Sequence, residues 1–154
     1  MKDWLFTHSK ALFSAALFLF GVSLFTPAIS TRYGSATKGL NLFLMGPLGI
    51  FMLGEVRWLA NPFFLIPTIS GLLFKRQRAW ALWSSFCGVL LTLSCFIFPI
   101  KHIRGDSGSP YIYHATLEIG AYLWIFASML AFTGCIINRG IRKTLNSDSK
   151  ISDT

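Results

Sequence analysis

The sequence predicts an all-α integral membrane protein: four transmembrane helices in a compact bundle, the second span broken at Asn61-Pro62 and both termini cytoplasmic. Three observations carry that reading. Charged residues make up only 13% of the 154-residue chain, against about 25% in a typical soluble domain. Hydrophobic residues reach 53% and aromatic residues 16%. The apolar residues also fall into stretches near the length of roughly 20 residues that a bilayer core about 30 Å thick requires. These stretches cover about 11–29, 42–74, 79–100 and 116–137. They use most of the chain, so residues 1–154 read as a single transmembrane domain.

The first stretch follows Lys2 and Lys10. With Ala28-Ile29-Ser30 at its end, it also has the layout of a secretory signal with a small-residue cleavage site. The length of the apolar run and Asp3 in the basic region favour a retained span. Under either reading residue 31 lies outside the cytoplasm.

The second stretch has 33 residues, about 50 Å as one helix at 1.5 Å per residue. That is too long for one upright span and too short for two. Asn61-Pro62 is the expected break, because Asn suits a helix N-cap and Pro the first helical position. Proline also disfavours helical geometry in the residue before it. Pro67 adds a further bend, and Pro47 marks where the chain enters from the outer side. Residues 41–53 have a second reading, as a segment lying along the outer interface.

The last two spans carry small residues at helical spacing. Ser84 and Gly88 make a small-xxx-small pair in the third; Gly120, Ala127, Ala131 and Gly134 repeat along the fourth. Between helices in lipid the hydrophobic drive is weak, so close backbone approach and dispersion favour such faces for packing. Trp80 and Trp83 on one side, with Tyr111 and Tyr113 on the other, suit the aromatic belts of a bilayer. The fourth helix is expected to stop at Asn138-Arg139-Gly140, leaving 144–154 as a flexible polar tail.

The net charge of +8 has a topological explanation. Lys2, Lys10, Lys75, Arg76, Arg78, Arg139, Arg142, Lys143 and Lys150 fall on one side of the four spans. Only Arg32, Lys38, Lys101 and Arg104 fall on the other. The positive-inside rule then places both termini in the cytoplasm. Attraction to anionic headgroups adds to this, so the expected partners are the lipid bilayer and another membrane protein or a second copy, not nucleic acid.

Chemistry-bearing residues are few. Glu55 and Arg57 stand in an otherwise uncharged apolar stretch, where ionisable groups are costly and call for a partner or a purpose. With Asn61 they sketch a polar site at the helix break, whose free amides at 62–64 suit an anion. The competing reading is a kinked helix whose charges pair with neighbouring spans or sit at the interface. Glu118 is the expected partner of Arg57 from another helix. His114 and Glu118, four apart, with His102 in the preceding loop, are weak metal candidates, because zinc needs three or four converging ligands. Cys87, Cys95 and Cys135 form no CxxC pair and fall within spans, so they read as small buried residues. Six carboxylates in all, and no nucleophile elbow, phosphate loop or HExxH, point away from an enzyme and from a bound cofactor or metal.

Trp58-Leu-Ala-Asn-Pro62, with Gly120-Ala-Tyr-Leu-Trp124 and nearby Ser128, resembles a pattern in small uncharacterised bacterial inner-membrane proteins. The resemblance covers the last two-thirds of the chain. It implies a multi-pass inner-membrane location and no particular substrate. The function expected is that of an accessory, assembly or immunity-type subunit acting through helix packing. The rival expectation is a small oligomeric transporter or channel using Glu55, Arg57 and Asn61.

Overall fold

The computed structural model describes residues 2–30, 36–53, 56–74, 79–97, 100–104 and 111–152. Its helices are α1 (Lys2–Phe25), α2 (Gly39–Leu53), α3 (Ala60–Leu73), α4 (Ala79–Ile97) and α5 (Ile119–Ser152), with a 3₁₀ turn at Val56–Leu59 leading into α3. Four segments are long and apolar enough to cross a membrane: Phe6–Phe25, Val56–Leu73, Ala79–Ile97 and Ile119–Gly140. The chain is therefore a helical bundle of membrane type.

Four short strands join the helices at one end: β1 (Pro27–Ser30), β2 (Thr37–Lys38), β3 (Ile100–Arg104) and β4 (Tyr111–Leu117). They form one antiparallel sheet in the order β2-β1-β4-β3. The sheet sets the direction of every span. β1 leaves α1 and pairs with β4, which feeds α5, so α1 and α5 run antiparallel from a shared sheet end. α4 also ends at the sheet, through β3. The link from Phe74 to Ala79 reaches at most about 18 Å, less than the roughly 28 Å length of α4. α3 therefore ends beside the start of α4, at the end opposite the sheet.

α1 lies along α5, α4 bridges α3 and α5, and α3 also touches α1. Ala16, Phe20, Phe64, Ala127 and Ala131 form the buried centre. The Phe20 and Phe64 rings meet at 5.1 Å between centroids. Small residues occupy the crossings. Gly134 faces the Phe13 ring, where an added Cβ would sit 2.8 Å from Cε1, and Gly88 backs onto the Phe63-Phe64 peptide at 3.4 Å. The stripes on α4 and α5 thus meet other helices of the same chain, as contacts through dispersion require.

Several expected boundaries move. The first span is helical from Lys2 and leaves helix at Phe25, with 27–30 in β1 rather than in a span reaching 29. The third ends at Ile97, and Ile100 already belongs to β3. The fourth begins at Ile119, because Tyr111–Leu117, rich in aromatic and β-branched residues, forms β4. α5 does not stop at Gly140 but continues to Ser152, through most of the expected tail. A single helical Gly costs only about 1 kcal/mol, and Ile141-Arg-Lys143 beyond it are compatible with helix. The expected turn at Gly105–Pro110 lies outside the described residues.

The second stretch departs most. Asn61 and Pro62 lie inside the first turn of α3, which begins at Ala60 directly after the 3₁₀ turn. Its N-cap is Leu59 in right-handed helical conformation, with no side-chain cap. Asn61 is not the cap, and the chain is not broken at Asn61-Pro62. α2 ends at Leu53 and the 3₁₀ turn begins at Val56, with residues 54–55 outside the described residues. A proline in a first turn lacks only a donor that would have had no partner anyway, so the helix tolerates Pro62 there.

Candidate functional site

The expected site draws on Glu55, Arg57, Asn61 and Glu118. Glu55 lies outside the described residues. Arg57 sits in the 3₁₀ turn, partly buried, and Asn61 is buried one turn later. Residues 62–64 belong to the first turn of α3, directly after the 3₁₀ turn, and not to a helix that opens at Pro62.

Asn61 has a different task. Its Oδ1 accepts a hydrogen bond from Trp124 Nε1 at 3.1 Å, tying α3 to α5. Ser128 Oγ donates to Trp124 O at 3.1 Å, one turn further along α5. The Trp58–Pro62 and Gly120–Trp124 segments, 63 residues apart at this bond, therefore meet at the sheet end of the bundle. A buried amide and an indole N–H satisfy one another, which removes the penalty each would carry alone in an apolar interior.

The two prolines inside helices each strip a carbonyl of its usual donor, and each carbonyl finds a replacement. Pro47 cannot donate to Phe43 O four residues back. Trp58 Nε1 donates to that oxygen at 2.8 Å, and its ring fills the space left by Gly46, where any Cβ would collide with the indole. Pro67 likewise leaves Phe63 O without an in-helix donor. Ser84 Oγ of α4 donates to it at 3.2 Å, with Gly88 one turn on against the same peptide. Neighbouring side chains re-satisfying a proline-freed carbonyl is the condition for such a residue within a membrane helix. Ser84 and Gly88 thus form one docking device with Pro67.

Glu118 stands at the β4–α5 junction. Its backbone N donates to Ala28 O at 2.9 Å, and its carbonyl accepts from Ala121 N at 2.9 Å and Tyr122 N at 3.4 Å. Its side chain accepts from Ser30 Oγ at 2.5 Å, and that hydroxyl also lies 2.7 Å from Thr116 Oγ1. This cluster fastens β1 to the start of α5. His114 lies in β4 and so shares no helix face with Glu118. In the β3–β4 ladder His102 stands opposite Tyr113 and His114 opposite Lys101. The two histidines therefore take positions of opposite parity. Among the described residues, no group of three His, Cys, Asp or Glu comes together.

Two polar groups escaped the sequence reading. Ser85 Oγ on α4 and Asn138 Nδ2 on α5 are buried with no hydrogen-bond partner among the described residues. The carbonyl one turn before Ser85, Ala81 O, is approached by Cys135 Sγ at 3.9 Å. A serine among small residues looks in sequence like any other packing residue, so nothing marked it. No protein-family model matches the chain, and no curated protein or solved structure shows a significant match to it.

Proposed function

We propose that this chain is a non-enzymatic multi-pass protein of the bacterial inner membrane, both termini cytoplasmic. Its action is that of an accessory, assembly or immunity-type subunit that packs against another membrane component. The observation that carries the proposal is how its buried and half-buried polar side chains are spent. Asn61 with Trp124, Trp58 with Phe43 O, and Ser84 with Phe63 O each tie one element to the next. These groups serve architecture, and an architecture held so specifically suits a scaffold for a partner.

The small-residue faces around Gly88, Ala127, Ala131 and Gly134 are taken by the chain's own helices. Contact with a partner therefore falls on the outward-facing surfaces. The distribution of basic residues, nine against four, supports the orientation.

The test is purification in mild detergent from the native membrane, with identification of what accompanies the protein. A stoichiometric membrane protein is the expected result. A homogeneous self-oligomer without a partner would overturn the accessory role and favour a transporter, to be pursued through flux measurements on Glu55 and Arg57 variants. Orientation is read separately, from the accessibility of tags at the two termini to an impermeant reagent in intact cells; exposure of either terminus would refute it.

A further inference from the structure

α2 is the apolar helix that the four spans leave over. It has 15 residues, about 22 Å at 1.5 Å per residue, short of the roughly 30 Å of a bilayer core. Its start and its middle are both held at the sheet end. Gly39 N donates to Thr26 O at 3.1 Å, just past the end of α1. Gly46 lies against the Trp58 ring. The height of Trp58 follows from the ring contact of Phe20 with Phe64. Six residues before Phe64, Trp58 stands about 10 Å nearer the sheet, level with Thr26, which lies about 9 Å past Phe20. Gly39 and Gly46 are thus at similar heights, although about 10 Å of helix separates them. α2 therefore runs across the bundle and not down it.

Its outer face is apolar from Leu44 onward, with Asn41 exposed one turn earlier. Leu44, Met45 and Leu48 are exposed by 62%, 63% and 56%, and the helix carries no charged residue. A helix without a polar face is not suited to water. Phe25 and Val56, at the sheet ends of their spans, are exposed apolar side chains as well.

We infer that α2 lies in the plane of the sheet-side leaflet, with Leu44, Met45 and Leu48 in contact with the upper acyl chains of its phospholipids. α2 then seats the sheet on the bilayer by apolar contact. The inference is independent of the accessory role and survives its failure.

Two measurements in phospholipid vesicles test it. In a background with Cys87, Cys95 and Cys135 replaced by Ala, nitroxide is attached at Met45→Cys or, separately, at Leu90→Cys in α4. The label at position 45 is expected about 5–10 Å below the headgroup boundary, with that at position 90 deeper. A label at 45 as deep as at 90, one reached only by the aqueous relaxant, or one shielded from both relaxants overturns the inference. The second measurement uses the unaltered chain and phospholipids bearing a diazirine near the headgroup or at the acyl terminus. Peptides from 39–53 should be captured mainly by the shallow probe. Capture mainly by the deep probe, or none while α4 peptides are captured, overturns it too.

Discussion

At the scale of single residues, the bundle depends on polar atoms that answer one another between elements. Ser84→Ala removes the donor for Phe63 O and should cost about 1 kcal/mol. In a Pro67→Ala background Phe63 O regains its own helical donor, so the same change should cost close to nothing. A double-mutant cycle on detergent unfolding measures that coupling; equal costs in both backgrounds would refute the compensation. Trp124→Phe leaves Asn61 Oδ1 buried without its donor and should destabilise by about 1–3 kcal/mol, largely relieved by adding Asn61→Leu. Ser85→Ala works in the opposite direction. Its hydroxyl has no partner among the described residues, so its removal should leave stability unchanged or raise it by up to about 1 kcal/mol, and a clear loss on unfolding would contradict that.

At the scale of elements, contact distances decide what each crossing accepts. Gly134→Ala would put a Cβ 2.8 Å from the Phe13 ring, forcing α1 and α5 apart or the ring out of its place. Overpacking of this kind costs about 1–3 kcal/mol, and Phe13→Leu in the same chain should recover part of it. The same contact bears on the fate of α1. Phe13, Ala16 and Phe20 belong to the buried core, so cleavage after Ser30 would open the α5 face. Retention of α1 is therefore expected, and recovery of peptides from residues 2–30 in membrane-extracted protein checks it. The spans of these elements were legible in the sequence because each depends on its own apolar length. The strands were not. β1, β3 and β4 have four, five and seven residues; β1 was absorbed into the end of the first apolar stretch, and β3 and β4 read as an outer loop with the ends of the adjoining spans.

At the scale of the whole molecule, the sheet gathers the ends of α1 and α4 and the start of α5, and α5 continues beyond its membrane-length segment by 12 residues, Ile141–Ser152. The molecule thus has a folded cap on one side and a helical projection on the other. Two of the candidate site residues lie at the sheet end in structural roles: Asn61 locks to Trp124, and Glu118 fastens to Ser30. Asn61 stood out in sequence as the N-cap candidate before Pro62 and as a member of the polar site with Glu55 and Arg57. Its partner was hidden 63 residues away. Replacing Glu118 by Gln keeps an acceptor for Ser30 and should preserve the fold, whereas Glu118→Ala should loosen the sheet from α5; amide exchange in β1 and β4 reads the difference.

The sequence by itself determined lipid as the solvent, the number of membrane-length helices, and the asymmetry of basic charge. Each is a local or summed property of apolar length and charge. Only the tertiary structure decided which donor meets which carbonyl. Pro47 and Pro67 announce freed carbonyls in the sequence, but Trp58 and Ser84, 15 and 21 residues from Phe43 and Phe63, are selected by packing. The position of α2 was decided in the same way. The apolar stretch 42–74 does not mark where α2 ends, and the two contacts of α2 at the sheet end turn it across the bundle.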